Sequence, residues 1–185
     1  MNFNMNVNIR HILLAEDDPR DAKMTLAALE EYNLANKVFA VHDGEAVLDY
    51  LYCREKFAGR LGGNPVAILL DLKMPKVDGL EVLKVIKADA NLKSIPVVVL
   101  SSSRETPDLI ECYEHGVNAY VVKPVDFDAF AKAVKQLGVF WAAINEPPPD
   151  PAKEASLQNG AAISREKKEV KNEPTTHAPH PALGG

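Results

Sequence analysis

Five short apolar runs, each followed by a polar or charged residue and separated by segments of three-and-four apolar spacing, constrain this chain most. The runs are His11 to Ala15, Lys37 to Val41, Val66 to Leu70, Ile95 to Leu100 and Ala119 to Val122. Val66 to Leu70 shows no polar alternation, as expected for a strand covered on both faces. Between the runs lie five predicted helices. The first starts at Asp18 or Pro19 and carries Ala22, Leu26 and Leu29, ending near Tyr32. Asp43-Gly44 opens the second, with Ala46, Val47, Tyr50 and Leu51. A Gly-rich loop from Phe57 to Pro65 precedes the third strand. Asp78-Gly79 opens the third helix, with Leu80, Val82, Leu83 and Ile86. The fourth, Pro107 to His115, is weaker and stops at Gly116. The fifth carries Phe127, Phe130, Val134, Leu137, Trp141 and Ile144 on one stripe. Strict alternation of this kind predicts a doubly wound parallel sheet with helices on both faces.

The periodic pattern sets the folded unit at residues 9–145, with an N-terminal extension over 1–8. From Glu146 onward there is no Phe, Tyr or Trp, and seven of the thirteen prolines fall there. Such a segment buries too little apolar area to offset its ordering entropy, so residues 146–185 read as a disordered C-terminal tail. The net charge of −5 is a poor match to nucleic acid or an anionic membrane. No apolar run reaches the roughly 18 residues of a membrane span. Cys53 and Cys112, far apart and outside any motif, fit a reducing cytoplasm.

The residues that close the runs suggest chemistry. Glu16 and Asp17 follow the first, Asp71 the third, Ser101 the fourth and Lys123 the fifth. Open parallel sheets place their sites at these carboxyl ends. With strand order 2-1-3-4-5, Glu16, Asp17 and Asp71 meet at the switch point. Three carboxylates in one cleft repel unless a proton or a cation joins them. A hard divalent ion with oxygen ligands, Mg²⁺ above all, suits such a site. Asp71 is then a candidate nucleophile toward phosphorus. Phosphoryl transfer needs positive charge and donors around the transferred group, which Lys123 and Ser101 would supply. Taken singly, each residue has a plainer explanation. Asp-Asp after a strand is often a helix N-cap, Asp71 before a Pro turn is a turn-former, and a lone Ser or Lys is a loop hydroxyl or a solvated charge. The joint placement on one sheet edge argues for the site.

Four segments in order carry a resemblance: Ile-Leu-Leu-Ala-Glu16-Asp17-Asp18, Leu-Leu-Asp71-Leu-Lys73-Met74-Pro75-Lys-Val-Asp78-Gly79, Pro96-Val-Val-Val-Leu-Ser101-Ser102-Ser103 and Ala119-Tyr120-Val-Val-Lys123-Pro124. On them the chain resembles the receiver domain of two-component response regulators, which have a flavodoxin-like (βα)5 fold. The resemblance implies phosphorylation of Asp71 by a sensor histidine kinase. It implies Mg²⁺, for which Mn²⁺ can substitute, held by Asp17, by Glu16 through water, by Asp71 and by the backbone carbonyl of Lys73. Ser101 and Lys123 would bind the phosphoryl group, Ser101 and Tyr120 would form the switch pair, and a cis bond before Pro124 would aim Lys123 into the site. Upon phosphorylation the Ser101 hydroxyl would move inward and Tyr120 would swing in behind it. The acidic pair is Glu-Asp rather than Asp-Asp, and the switch hydroxyl is Ser rather than the commoner Thr.

The loop from Tyr52 to Asn64, the Lys123-Pro-Val-Asp126 segment and the closing Phe140-Trp141 are similar to the small regulators paired with phytochrome-type histidine kinases. That likeness implies a homodimer through helix four, strand five and helix five, with Phe140 and Trp141 as candidate contacts. Output would then be protein–protein contact without DNA, and the chain would be a phosphoacceptor signalling domain rather than an enzyme. Three rivals are weaker. A haloacid-dehalogenase-like phosphatase needs an acid two residues after the nucleophile, where Lys73 stands. A flavodoxin-like carrier needs a phosphate loop where Glu16 and Asp17 stand. A phosphorylation-independent interaction module would not need the intact set Asp17, Asp71, Ser101 and Lys123.

Overall fold

The computed structural model describes residues 11–30, 38–60, 63–124 and 126–148. The extension over 1–8, the reading of a disordered tail beyond residue 148 and the side chain of Phe127 lie outside the described residues. The strands are β1 (Ile12–Ala15), β2 (Val38–Val41), β3 (Ala67–Leu70), β4 (Val97–Ser101) and β5 (Ala119–Val122). Between and after them run α1 (Pro19–Glu30), α2 (Gly44–Leu51), α3 (Gly79–Ala88), α4 (Thr106–Glu114) and α5 (Phe127–Val139). A 3₁₀ turn (Glu55–Phe57) precedes β3.

All strands are parallel, in the order β2-β1-β3-β4-β5. The register sets Ala15 beside both Val41 and Leu70, so the ends of β1 and β3 lie side by side. Every residue of β1, β3 and β4 is buried. The two-residue period divides them between two cores. Leu13, Ile68, Leu70, Val97 and Val99 face Val47, Leu51, Val82, Leu83, Ile86 and Cys112 of α2, α3 and α4. Ile12, Leu14, Leu69, Val98 and Leu100 face Ala28 and Leu29 of α1 and Phe130 and Val134 of α5. Each fully buried Leu or Ile contributes about 1.5–3 kcal/mol, so the sheet interior supplies much of the stability.

The helices begin where their caps dictate. Asp43, Asp78 and Asp126 each accept a hydrogen bond from the backbone three residues on, from Ala46, Glu81 and Ala129. Asp18, read as the cap of the first helix, accepts from the Arg20 N–H at 2.7 Å.

The last helix departs from the sequence reading. Beyond α5 the chain makes one π turn, Phe140–Ile144, in which the Asn145 N–H reaches back to the Phe140 carbonyl. The wider turn rotates later residues off the stripe. Ile144, expected on the apolar face, is 68% exposed. Trp141 stays partly buried against the α1/α5 core, while Phe140 is 45% exposed and meets Trp141 edge-to-face at 4.9 Å.

At the far edge of the sheet, Lys87 ties three segments together. Its ammonium donates to the carbonyls of Ile95 (2.9 Å) and Lys93 (3.3 Å) and to Asn118 Oδ1 (3.0 Å). Burial pulls its pKa below the ordinary lysine value. Lys87→Met removes this donor from the Ile95 and Lys93 carbonyls, while Asn118 Oδ1 keeps the Val97 N–H at 2.9 Å, and is expected to destabilise the fold by about 1–3 kcal/mol. Urea unfolding with an unchanged m-value would check it; a loss of under half a kcal/mol would show that water replaces the ammonium.

Candidate functional site

The parallel register delivers the run-closing residues to one edge. The Glu16 N–H bonds to Val41 O at 3.0 Å, the Asp71 N–H to Ala15 O at 3.0 Å and the Lys123 N–H to Ser101 O at 2.7 Å. The chain thus leaves β1, β3 and β5 with its first polar residues still held to the sheet. Carboxylate oxygens of Glu16, Asp17 and Asp71 lie within 4.8 Å of one another. Glu16 and Asp71 are buried and Asp17 is exposed.

Lys123 is the hub. Its Nζ donates to Glu16 Oε2 at 2.7 Å, Asp71 Oδ2 at 2.7 Å and Asp21 Oδ2 at 2.9 Å. The Lys73 N–H donates to Asp71 Oδ1 at 3.1 Å, fixing the carboxylate plane. The peptide bond before Pro124 is trans; none of the described bonds is cis. The cis expectation is therefore corrected. A trans bond is the ordinary preference before proline, and Lys123 reaches the carboxylates from it without isomerisation.

Burial acts in opposite directions on the two ends of this network. It pushes the Glu16 carboxyl up to about 7 against the pull of Lys123, with Asp71 and Asp21 adding repulsion. It opposes charge on Lys123 as well, but the hydrogen bonds to Asp71, Glu16 and Asp21 outweigh it and hold the ammonium above its ordinary range. One cation therefore faces an excess of carboxylates.

That excess bears on a metal. Glu16 Oε1 is buried and has no hydrogen-bond partner, although the other oxygen of the same carboxylate is bound to Lys123. An orphaned carboxylate oxygen beside two further carboxylates is an all-oxygen donor set, which fits a hard divalent cation. Among the described residues no other group of His, Cys, Asp or Glu is arranged for a metal.

Ser101 is fully buried, and its Oγ accepts from the Ser103 N–H at 3.1 Å. The Tyr120 hydroxyl donates to the Ser103 carbonyl at 3.2 Å, and burial raises its pKa. Tyr120 is thus bonded to the loop after β4, two residues from Ser101.

Two site residues escaped the sequence reading. Asp21 sits in the first turn of α1, where an acid reads as an ordinary helix-dipole partner. Its position four residues after Asp17 was the only available signal. His42 supports the site from the position just after β2, its Nδ1 donating to the Glu16 carbonyl at 3.0 Å.

Comparison with known proteins agrees with this geometry. Residues 12–135 match the response regulator receiver domain. The probable methanogenesis regulatory protein FilR2 of Methanothrix harundinacea is 39% identical over 137 residues, 74% of this chain and 86% of its own length. Response regulator Rcp1 of Synechocystis sp. is 36% identical over 130 residues, 70% of this chain and 87% of its own. Its Mn²⁺-bound structure aligns with TM-score 0.70 at 34% identity, covering 76% of this chain and 99% of that one. The phosphorylated cyanobacterial phytochrome response regulator RcpA aligns with TM-score 0.70 at 36% identity and the same coverages. The bacteriophytochrome response regulator AtBRR is 57% identical with TM-score 0.60, covering 74% of this chain and 98% of its own. With the sheet order, the acidic cluster and the part-buried lysine already in place, these likenesses show that the chain belongs to the response regulator receiver domain family of two-component signalling and is homologous to the phytochrome response regulators.

Proposed function

We propose that this receiver takes a phosphoryl group onto Asp71 from the phosphohistidine of a phytochrome-type sensor kinase in the cytoplasm. The observation that carries the reading is the Lys123 ammonium 2.7 Å from the Asp71 carboxylate, at a sheet edge that also holds Glu16 and Asp17. A carboxylate oxygen of Asp71 forms the bond to phosphorus as the phosphorus–nitrogen bond of the donor breaks, and the leaving imidazole keeps the electron pair. Lys123 donates to the equatorial phosphoryl oxygens, and the Ser101 hydroxyl gives a second donor once it turns from the Ser103 N–H. Glu16, Asp17, Asp71 and the Lys73 carbonyl would hold Mg²⁺, and Mn²⁺, present in the Rcp1 structure, would serve instead. The cation neutralises charge on the transferred oxygens when bound. Catalysis here serves a single self-modification, so the domain acts as a signalling switch.

The readout surface in this proposal is α4, β5 and α5. Leu109, Ile110 and Tyr113 of α4 and Phe140 beyond α5 are exposed apolar side chains, available to a partner or a second copy. Trp141, half-buried on the core, packs edge-to-face against Phe140 at the border of this surface and is the second candidate contact.

Intact-protein mass after incubation with acetyl phosphate tests the reading. One phosphoryl mass is expected in the wild type with Mg²⁺ or Mn²⁺. None is expected after chelation or in Asp71→Ala. The same cations should raise the melting temperature of the wild type, since they bind the folded cluster alone. A gain that persists in Asp71→Ala, or none from either acetyl phosphate or a phosphorylated kinase, would sink it.

A further inference from the structure

We infer that Asp21 is a positioning residue: it holds one N–H of Lys123 in the resting state and surrenders it to the incoming phosphoryl group. The inference rests on the phosphoacceptor reading of Asp71.

An ammonium has three N–H donors and no more. Lys123 has three carboxylate acceptors, at 2.7 Å on Glu16, 2.7 Å on Asp71 and 2.9 Å on Asp21. Its donors are therefore fully engaged, and a phosphoryl oxygen can be bound only if one acceptor lets go. The three differ in what release would cost. The Glu16 side chain is 2% exposed and already has one oxygen without a partner, so losing Lys123 would leave the whole carboxylate stranded. The Asp71 side chain is 9% exposed and is itself the group to be modified. The Asp21 side chain is 36% exposed, and water can replace its bond to Lys123. Asp21 also stands apart structurally. It is carried by α1 rather than by the sheet edge, and it is not one of the three carboxylates that cluster for a metal. Its contact with Lys123 spans 102 residues of sequence, so it is made by the tertiary fold and not by the helix's own capping.

Asp21 accordingly aims Lys123 toward α1 at rest and raises the barrier to phosphoryl uptake by stabilising the unphosphorylated site. Once Asp71 carries the phosphoryl group, Lys123 has changed partners and Asp21 no longer bears on the rate.

The experiment times labelling of the full chain by acetyl phosphate with Mg²⁺, by intact mass, in wild type, Asp21→Asn, Lys123→Met and the double variant. Asp21→Asn is expected to take up phosphoryl about two- to fivefold faster, the factor that a partly exposed ion pair represents. Loss of the phosphoryl group should proceed at the wild-type rate, which a merely structural effect on the site would not preserve. The acceleration should vanish in the Lys123→Met background. Where Lys123→Met labels too slowly to time, beryllofluoride affinities of the same four proteins give the same cycle. Equal or slower uptake by Asp21→Asn overturns the inference. So does an acceleration that survives without Lys123, because that would be a general charge effect on the donor. If the wild type itself gains no Asp71-dependent mass from acetyl phosphate or a phosphorylated kinase, the phosphoacceptor reading fails and this inference with it.

Discussion

Lys123→Met is expected to lower the rate of phosphoryl uptake by about 10²–10³-fold, the loss typical of removing one preorganised donor aimed at developing charge. Lys123 contributes to the site in two ways. It donates to Asp71 directly, and it neutralises part of a cluster that otherwise consists of carboxylates. Methionine fills most of the volume and removes both. The acidic cluster remains, so a divalent cation should still bind, and retained Mn²⁺ binding beside lost uptake would separate the two roles. The fold should respond in a pH-dependent way. Burial raises the folded-state pKa of Glu16 from 4.5 to about 7, so the folded protein holds a proton there that the unfolded chain releases. Stability from this group is therefore full below the unfolded value and is lost as pH rises through the folded one. Without Lys123 the charged carboxylate is harder still to bury. The melting temperature of Lys123→Met should already fall below wild type near about pH 5, where Lys123 still pairs with Asp71 and Asp21, and the difference should widen toward about pH 8 as Glu16 loses its proton. A difference independent of pH would mean that Glu16 does not carry the strain.

Gly79→Ala should impair the site from behind. Gly79 opens α3 directly against the end of β3, its N–H bonded to the Leu72 carbonyl at 2.8 Å. A Cβ at this position would stand 2.0 Å from the Asp71 carbonyl oxygen and 2.7 Å from Leu72 Cα. Both obstacles are backbone, so neither can rotate away. Either α3 or the chain carrying Asp71 must shift, and overpacking of this kind costs about 1–3 kcal/mol. A displacement of about 1 Å at a reacting group is enough for a loss of about 10²-fold. The expected result is a lowered melting temperature together with slowed labelling by acetyl phosphate. Loss of stability with labelling intact would show that α3 yields rather than Asp71.

How much of this was legible in the chain depends on the range of the interaction involved. Local apolar periodicity determined the five strands and five helices, because burial on one or both faces imposes a two- or three-and-four-residue repeat on neighbouring residues. The buried runs of β1, β3 and β4 carried no polar alternation, which already required a covered parallel sheet. Parallel connection then sent the residue after each run to the same edge, so Glu16, Asp17, Asp71, Ser101 and Lys123 could be named together before any distance was known. The tertiary structure decided what sequence pattern does not encode. The Lys123 contacts with Glu16 and Asp21 join residues 107 and 102 positions apart, and nothing local to Asp21 distinguishes it from a helix-dipole acid. The bond before Pro124 is trans, the ordinary preference before proline, where the resemblance had implied cis. Ile144 left the apolar stripe because one π turn changed the helical period after Val139. Sequence alone set which strands are buried and which residues stand at the sheet edge, since the burial of β1, β3 and β4 is written in their uninterrupted apolar runs. Only the packed fold determined which carboxylates share the lysine, since hydrogen bonds at below 3 Å depend on how separate elements are laid against one another.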